Sequence, residues 1–249
     1  MKHVAWGYVR HLRWLTSETR TVERDAALGR ILCFVAGALN AGGFLVVGQY
    51  TSHMSGITSA LADDMASGQW RLVLAGVSSL VAFVAGSACS AILINWGRSH
   101  FSPHQYTFPL LVEAALLLVF GALSFIEAKS WQVALAIPLL CFIMGLQNAI
   151  ITKISLARIR TTHVTGITTD IGIELGRSAY WTFGPSRCAM PGPDFGKLRL
   201  LVSLLVSFVV GGVTGAFGFG AIGLAFTFPL ALILLTLSGL PFFVHAGHP

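Results

Sequence analysis

The sequence predicts an all-α membrane protein. It would have six transmembrane helices as two inverted three-helix repeats, with a short amphipathic or re-entrant helix after the first span of each repeat. Three observations predict it. Hydrophobic residues make up 55% of the chain and charged residues 10%, with a mean hydropathy of +0.75, whereas soluble domains carry about 25% charged residues. Apolar runs recur at the length of roughly 20 residues that a helix needs to cross hydrocarbon. The stretch Gly37 to Thr58 also returns as Gly145 to Thr168, each copy carrying G-x-x-N-A and then T-x-H-x-[ST]-G-I-T. Asn40 precedes His53 by 13 residues and Asn148 precedes His163 by 15, so the copies differ by a two-residue insertion between fixed motifs.

The elements follow in chain order. In residues 1–27, Trp6, Tyr8, Leu12 and Trp14 alternate with Lys2, Arg10 and Arg13, a pattern suited to an amphipathic helix in the headgroup plane. A continuous apolar core and a small-residue cleavage site are missing, so this is no cleavable signal; a partner-binding tail is the alternative. The first repeat, 28–127, holds spans 28–47, 72–94 and 106–126; the second, 131–240, holds spans 131–151, 198–217 and 221–240. Further echoes support the division. Asp64 and Glu174 each lie 11 residues after their His, Val81 to Gly86 resembles Val206 to Gly211, and T-F-P-L stands at both 107–110 and 227–230. Proline in that motif suits the first turn of a helix.

After each first span comes a turn, then an amphipathic helix over Ile57–Ala66 or Ile167–Leu175, with Ser55 or Thr165 as the N-cap. Residues 178–197, rich in Gly and Pro, have no partner in the first half and read as an irregular loop. Cys33, Cys89 and Cys141 fall inside apolar runs and Cys188 in that loop, so neither disulfides nor a thiolate metal site is indicated.

Basic residues set the orientation. Six of the 16 Lys and Arg lie at or before the start of span 1, seven lie between spans 4 and 5, and Arg71, Arg98 and Lys129 are scattered. Four spans separate the two basic regions, so both face the cytoplasm, as do both termini. Asp63 and Asp64 then sit outside. The net charge of +6 needs no nucleic acid to explain it, and a lipid bilayer is the expected partner. With an odd number of spans per half, the second half enters from the opposite side, the arrangement of many secondary transporters, whose substrate site lies at the repeat interface.

The repeated motif carries the candidate chemistry. Asn40, Thr51, His53, Ser55 and Thr58 in the first copy, and Asn148, Thr161, His163, Thr165 and Thr168 in the second, are the expected solute-binding residues. Helix N-termini beside His favour an anionic group, and imidazole titrates near neutrality. Gly37, Gly42, Gly43, Gly56, Gly145 and Gly166 are expected to serve close packing or a helix break. The competing reading is that both segments are surface loops whose His and Thr only cap helices. Glu113, the acid within a confident span, is the candidate proton-coupling residue, or else a structural acid. Its counterpart is Ile233. His53, His163, Asp64 and Glu174 lack local metal-ligand spacing, and no nucleophile elbow, P-loop or dinucleotide fingerprint occurs. Catalytic residues, cofactor and metal are therefore not expected.

The runs G-x-x-N-A-G-G-F and T-S-H-M-S-G, echoed by N-A and T-T-H-V-T-G in the second half, resemble the YoaK family of bacterial integral membrane proteins, a domain of unknown function. The likeness extends from about Leu28 to Leu240, and Y-T-S-H-M-S-G is its specific part; the family pattern has Thr where this chain has Ser55. The resemblance implies a bacterial inner membrane and supplies neither substrate nor catalytic residues. The expected function is a non-enzymatic transporter or channel for a small, unidentified solute. A membrane scaffold or sensor subunit is the alternative, and a homo-oligomer is compatible with either.

Overall fold

Hydrocarbon offers no water to backbone N–H and C=O groups, so a spanning segment must satisfy them within a helix. The structure, a computed structural model, describes residues 22–100, 105–125, 130–154, 162–183 and 192–245, which form helices and no strand. In order these are α1 (Val22–Val47), α2 (Met54–Ala66), α3 (Trp70–His100), α4 (Thr107–Ala122), α5 (Ser130–Ile154), α6 (Val164–Phe183), α7 (Phe195–Ile222) and α8 (Thr227–His245). A 3-10 turn, Leu123–Phe125, extends α4, and another, Gly223–Phe226, separates α7 from α8. Residues 1–21 of the expected interfacial segment 1–27, part of the second-half loop (184–191) and Thr161 lie outside the described residues, while residues 22–27 belong to α1.

Among the described residues, five stretches are long and apolar enough to cross a membrane: Ala26–Val46, Trp70–His100, Thr107–Phe125, Leu135–Lys153 and Phe195–Ser238. The last, of 44 residues, contains α7 and α8. The break between them falls at Gly223, whose φ of 59° is left-handed, some residues after the expected gap. Both T-F-P-L motifs open their helices with Pro in the first turn, as expected. Helix α6 departs from expectation by running through Ser178 to Phe183; Gly and Pro become dense only beyond that point.

Helix α1 packs along α7, α3 along α5, and α4 against α8. Exchanging the halves maps this set of contacts onto itself. The same four-residue device makes both long crossings: Phe34-Val-Ala-Gly37 on α1 faces Phe208-Val-Val-Gly211 on α7, and Phe83-Val-Ala-Gly86 on α3 faces Phe142-Ile-Met-Gly145 on α5. At each of the four glycines an added Cβ would overlap the backbone carbonyl of the opposing Phe. Backbones can approach this closely only where one side chain is absent.

The outward faces repeat too. Val77, Val81, Val84 and Ile92 of α3 are exposed, and so are Val202, Val206, Val209 and Phe217 of α7, each 125 positions later. Inside, Leu32, Leu39, Leu110, Leu117 and Ile143 are fully buried in one core drawn from both halves.

Candidate functional site

Both motifs begin within a helix and continue in the turn behind it. Helix α1 continues unbroken through Asn40-Ala-Gly-Gly43. The glycines there serve packing: an added Cβ at Gly42 would overlap the Phe219 ring, and one at Gly43 would come within 3.5 Å of the Thr51 hydroxyl. The Asn40 side-chain oxygen accepts from the Ser52 backbone N–H at 3.3 Å and from its hydroxyl at 2.8 Å. In the second copy the Asn148 amide donates to the Thr162 hydroxyl at 2.6 Å and to the Met144 carbonyl at 3.1 Å. Each asparagine thus ties down the residue immediately before the motif histidine.

The tie moves the start of the following helix. His53, with φ −93° and ψ 70°, is itself the residue ahead of α2 and caps nothing with its side chain. Ile57 N donates to the His53 carbonyl at 3.1 Å and Ile167 N to that of His163 at 3.0 Å. Ser55 and Thr165 are therefore second residues of α2 and α6, not N-caps as the sequence suggested. Gly56 and Gly166 have one role: an added Cβ would come within 2.6 Å of His53 Nδ1, or overlap His163 Cδ2. Each imidazole lies over the first helical turn, where only glycine leaves it room.

Asn40, His53 and Ser55 from the first copy, and Asn148, His163 and Thr165 from the second, line one cavity of about 1120 Å³. Phe83 of α3 and Phe208 of α7 also line it. Four expected residues stand elsewhere or are undescribed. Thr58 and Thr168 do not line the cavity and bond the carbonyls of Met54 and Val164, each at 2.8 Å. Thr51 is buried, its hydroxyl without a partner among the described residues, and Thr161 is not described. The hydroxyls that meet the asparagines are those at the x of T-x-H, Ser52 and Thr162. Both positions being hydroxylic was the sequence signal for them.

Sequence reasoning also missed the charged lining, Lys153 in the last turn of α5 and Asp170 in α6. Asp170 lies 3.8 Å from Lys197, which is 3.4 Å from Glu174. Glu174 is buried and also meets Arg177 at 3.1 Å and the Asp194 backbone N–H at 3.2 Å. These contacts bind α6 to the start of α7 and occupy the acid that aligns with Asp64. Beside the main cavity lies a smaller one of about 280 Å³, lined by Asp64, Tyr50 and His53. Tyr50, stacked on Phe44 at 4.6 Å, and His53 line both cavities.

Glu113 is buried between the halves and does not line the main cavity. Its Oε1 accepts from Gln147 Nε2 at 2.8 Å, while Glu113 Oε2 and Gln147 Oε1 find no partner among the described residues. Gln147 had no sequence signal beyond its place beside Asn148.

The model of a family described as a protein of unknown function, DUF1275, matches residues 28–240. The UPF0700 transmembrane protein YoaK of Bacillus subtilis (strain 168) is 28% identical over 137 residues, 55% of this chain and 60% of that protein. The match therefore spans less than two thirds of the relative's length. No solved structure matches.

Proposed function

The chain belongs to the DUF1275 family of unknown function and is a multi-pass membrane protein by its five apolar stretches, and from that premise we propose that it carries or conducts a small solute through the cavity between its two motifs. The observation that carries this reading is convergence. Asn40 and Asn148 lie more than 100 residues apart, yet both motifs line one cavity of about 1120 Å³. A scaffold has no use for such a space, whereas a solute site demands it.

Six crossings in two inverted repeats supply the frame. The 44-residue stretch would be about 66 Å long as one helix, twice the roughly 30 Å of hydrocarbon, and it turns at Gly223, which argues for two crossings. The reciprocal packing of α1 on α7 and α5 on α3 supports a twofold relation in the membrane plane. The basic residues then orient both termini to the cytoplasm of a bacterial inner membrane. Asn40 and Asn148 position the turns, His53 and His163 present imidazole rings, and Ser55 and Thr165 offer hydroxyls. Glu113 remains the candidate proton carrier, one residue removed from the cavity through Gln147 and Asn148.

Ala91 and Ala149 line the cavity, so single cysteines there, in a chain cleared of its native cysteines, report access. In proteoliposomes a membrane-impermeant maleimide should reach each from both sides, one side at a time. Labelling at neither position, or from one side alone under every condition, would favour the scaffold and end the transport reading.

A further inference from the structure

Resting on that transport reading, we infer that the cavity takes a small organic anion with an apolar body. Its anionic group would be held at the end of the second repeat by Lys153 and His163, and its body would lie between Phe83 and Phe208.

Charge is the first argument. Among the described residues, the cavity's charged lining residues are Lys153 and Asp170. Asp170 is committed to Lys197, and Lys197 and Arg177 together attend buried Glu174, so two acids balance two bases. Among the described residues Lys153 has no ion-pair partner, and the cavity keeps its positive charge. A cationic solute would meet that ammonium with no unpaired carboxylate among the described lining residues to receive it. An anionic one gains a charge-assisted contact, the stronger kind of hydrogen bond. The His163 ring and the Thr165 hydroxyl line the same space and add hydrogen-bond donors.

Asymmetry is the second. The repeat aligns Lys153 with Leu45 and Asp170 with Ala60, so the charge belongs to one half only. A solute would therefore enter the symmetric cavity with a fixed orientation, anionic group toward Lys153. The third argument is the wall. Phe83 and Phe208 are symmetry-related positions of the Phe-x-x-Gly device, and both line the cavity with Ala91 and Ala149. An inorganic ion leaves such a wall unused, whereas an apolar body of a few carbons covers it.

Benzoate and benzamide have one shape and differ in charge, which makes them the probes. Each is titrated against maleimide labelling of the single cysteine at position 149, in the full chain in liposomes. Benzoate should protect at a concentration about tenfold or more below benzamide, the factor expected from one charge-assisted contact. Lys153→Gln should erase that preference and Lys153→Arg should keep it, with equal elution of all three proteins checking the fold. Equal protection by both probes would overturn the anion inference while leaving a solute cavity in place. Protection by benzylamine in preference to benzoate would reverse the class. Protection by none of the three would also overturn the inference, and the transport reading would then stand or fall on two-sided labelling alone.

Discussion

The two motif helices are built on one plan and held by different forces. Helix α2 has Ile57 as its buried residue and touches its own half through α3. Helix α6, seven residues longer by extent, buries Glu174 as well as Ile167 and is tied by it to Lys197 and the Asp194 backbone at the start of α7, with Arg177 of its own last turns on the same carboxylate. Asp64, at the matching position, lines the small cavity instead. The comparison teaches that the packing frame is shared between the halves, while the ion pairs among the described residues lie in one of them. A symmetric cavity with an unsymmetric mouth follows.

The largest effects should be equal in the two halves, since the frame is common. Gly37→Ala and Gly145→Ala each drive a methyl group into an opposing carbonyl, and overpacking a well-filled interface costs about 1–3 kcal/mol, more where backbone must move. Both variants should lose monodisperse protein in detergent chromatography at similar temperatures. A tolerant Gly145 beside an intolerant Gly37 would break the equivalence.

The next effect tests a polar pair against its apolar mirror. Glu113 and Gln147 meet across the halves, and the aligned positions are Ile233 and Leu39, both in the apolar core. Gln147→Leu alone strands a buried carboxyl and should cost about 1–3 kcal/mol. Adding Glu113→Ile copies the mirror pair and should recover most of that loss. Thermal unfolding of the two singles and the double measures the coupling. A double variant no better than the worse single would mean that the halves are not interchangeable there. If Glu113 also carries protons, Glu113→Gln should flatten the pH dependence of solute flux, and an unchanged profile would remove that role.

Glu174→Gln removes the charge that binds α6. Because Arg177 and Lys197 are about half exposed, the loss should be nearer 1–2 kcal/mol than the full value of a buried pair. Asp64→Asn should fall within about 0.5 kcal/mol, as surface changes do. Faster hydrogen exchange in α6 of the first variant, and none in α2 of the second, is the expected signature. The smallest effect is a gain: Gly172 and Gly176 have nothing near an added Cβ among the described residues, and the first repeat already has Ala62 and Ala66 there. Replacing both glycines with Ala should raise stability by about 1 kcal/mol or somewhat more.

Much of this was legible in the chain. Long apolar runs must be helical in hydrocarbon, T-F-P-L marks two helix starts, and a 22-residue stretch met twice points to two related halves. The Asn and His residues of the motifs were also singled out from recurrence alone, and all four line the cavity. Helix starts and hydrogen-bond partners were harder. Ser55 looked like a cap because its residue type favours caps, yet Asn40 ties Ser52, a dozen positions on, and α2 begins three residues sooner than expected. That is a contact between separate elements, invisible to local propensity. Lys153 and Asp170 resembled ordinary residues near helix ends, and nothing in their spacing connected them.

By itself, then, the sequence determined the class, the positions of the helices and the doubling of the motif, because these rest on hydrophobicity and recurrence, which are local or countable. Only the tertiary structure decided that the two motifs face one space, that four Phe-x-x-Gly segments interlock pairwise, and that, among the described residues, Lys153 is the charged residue of the cavity lining left without an ion-pair partner. Those facts depend on which helix lies against which, and the free energy that chooses a neighbour is spread over whole interfaces rather than written in any one stretch.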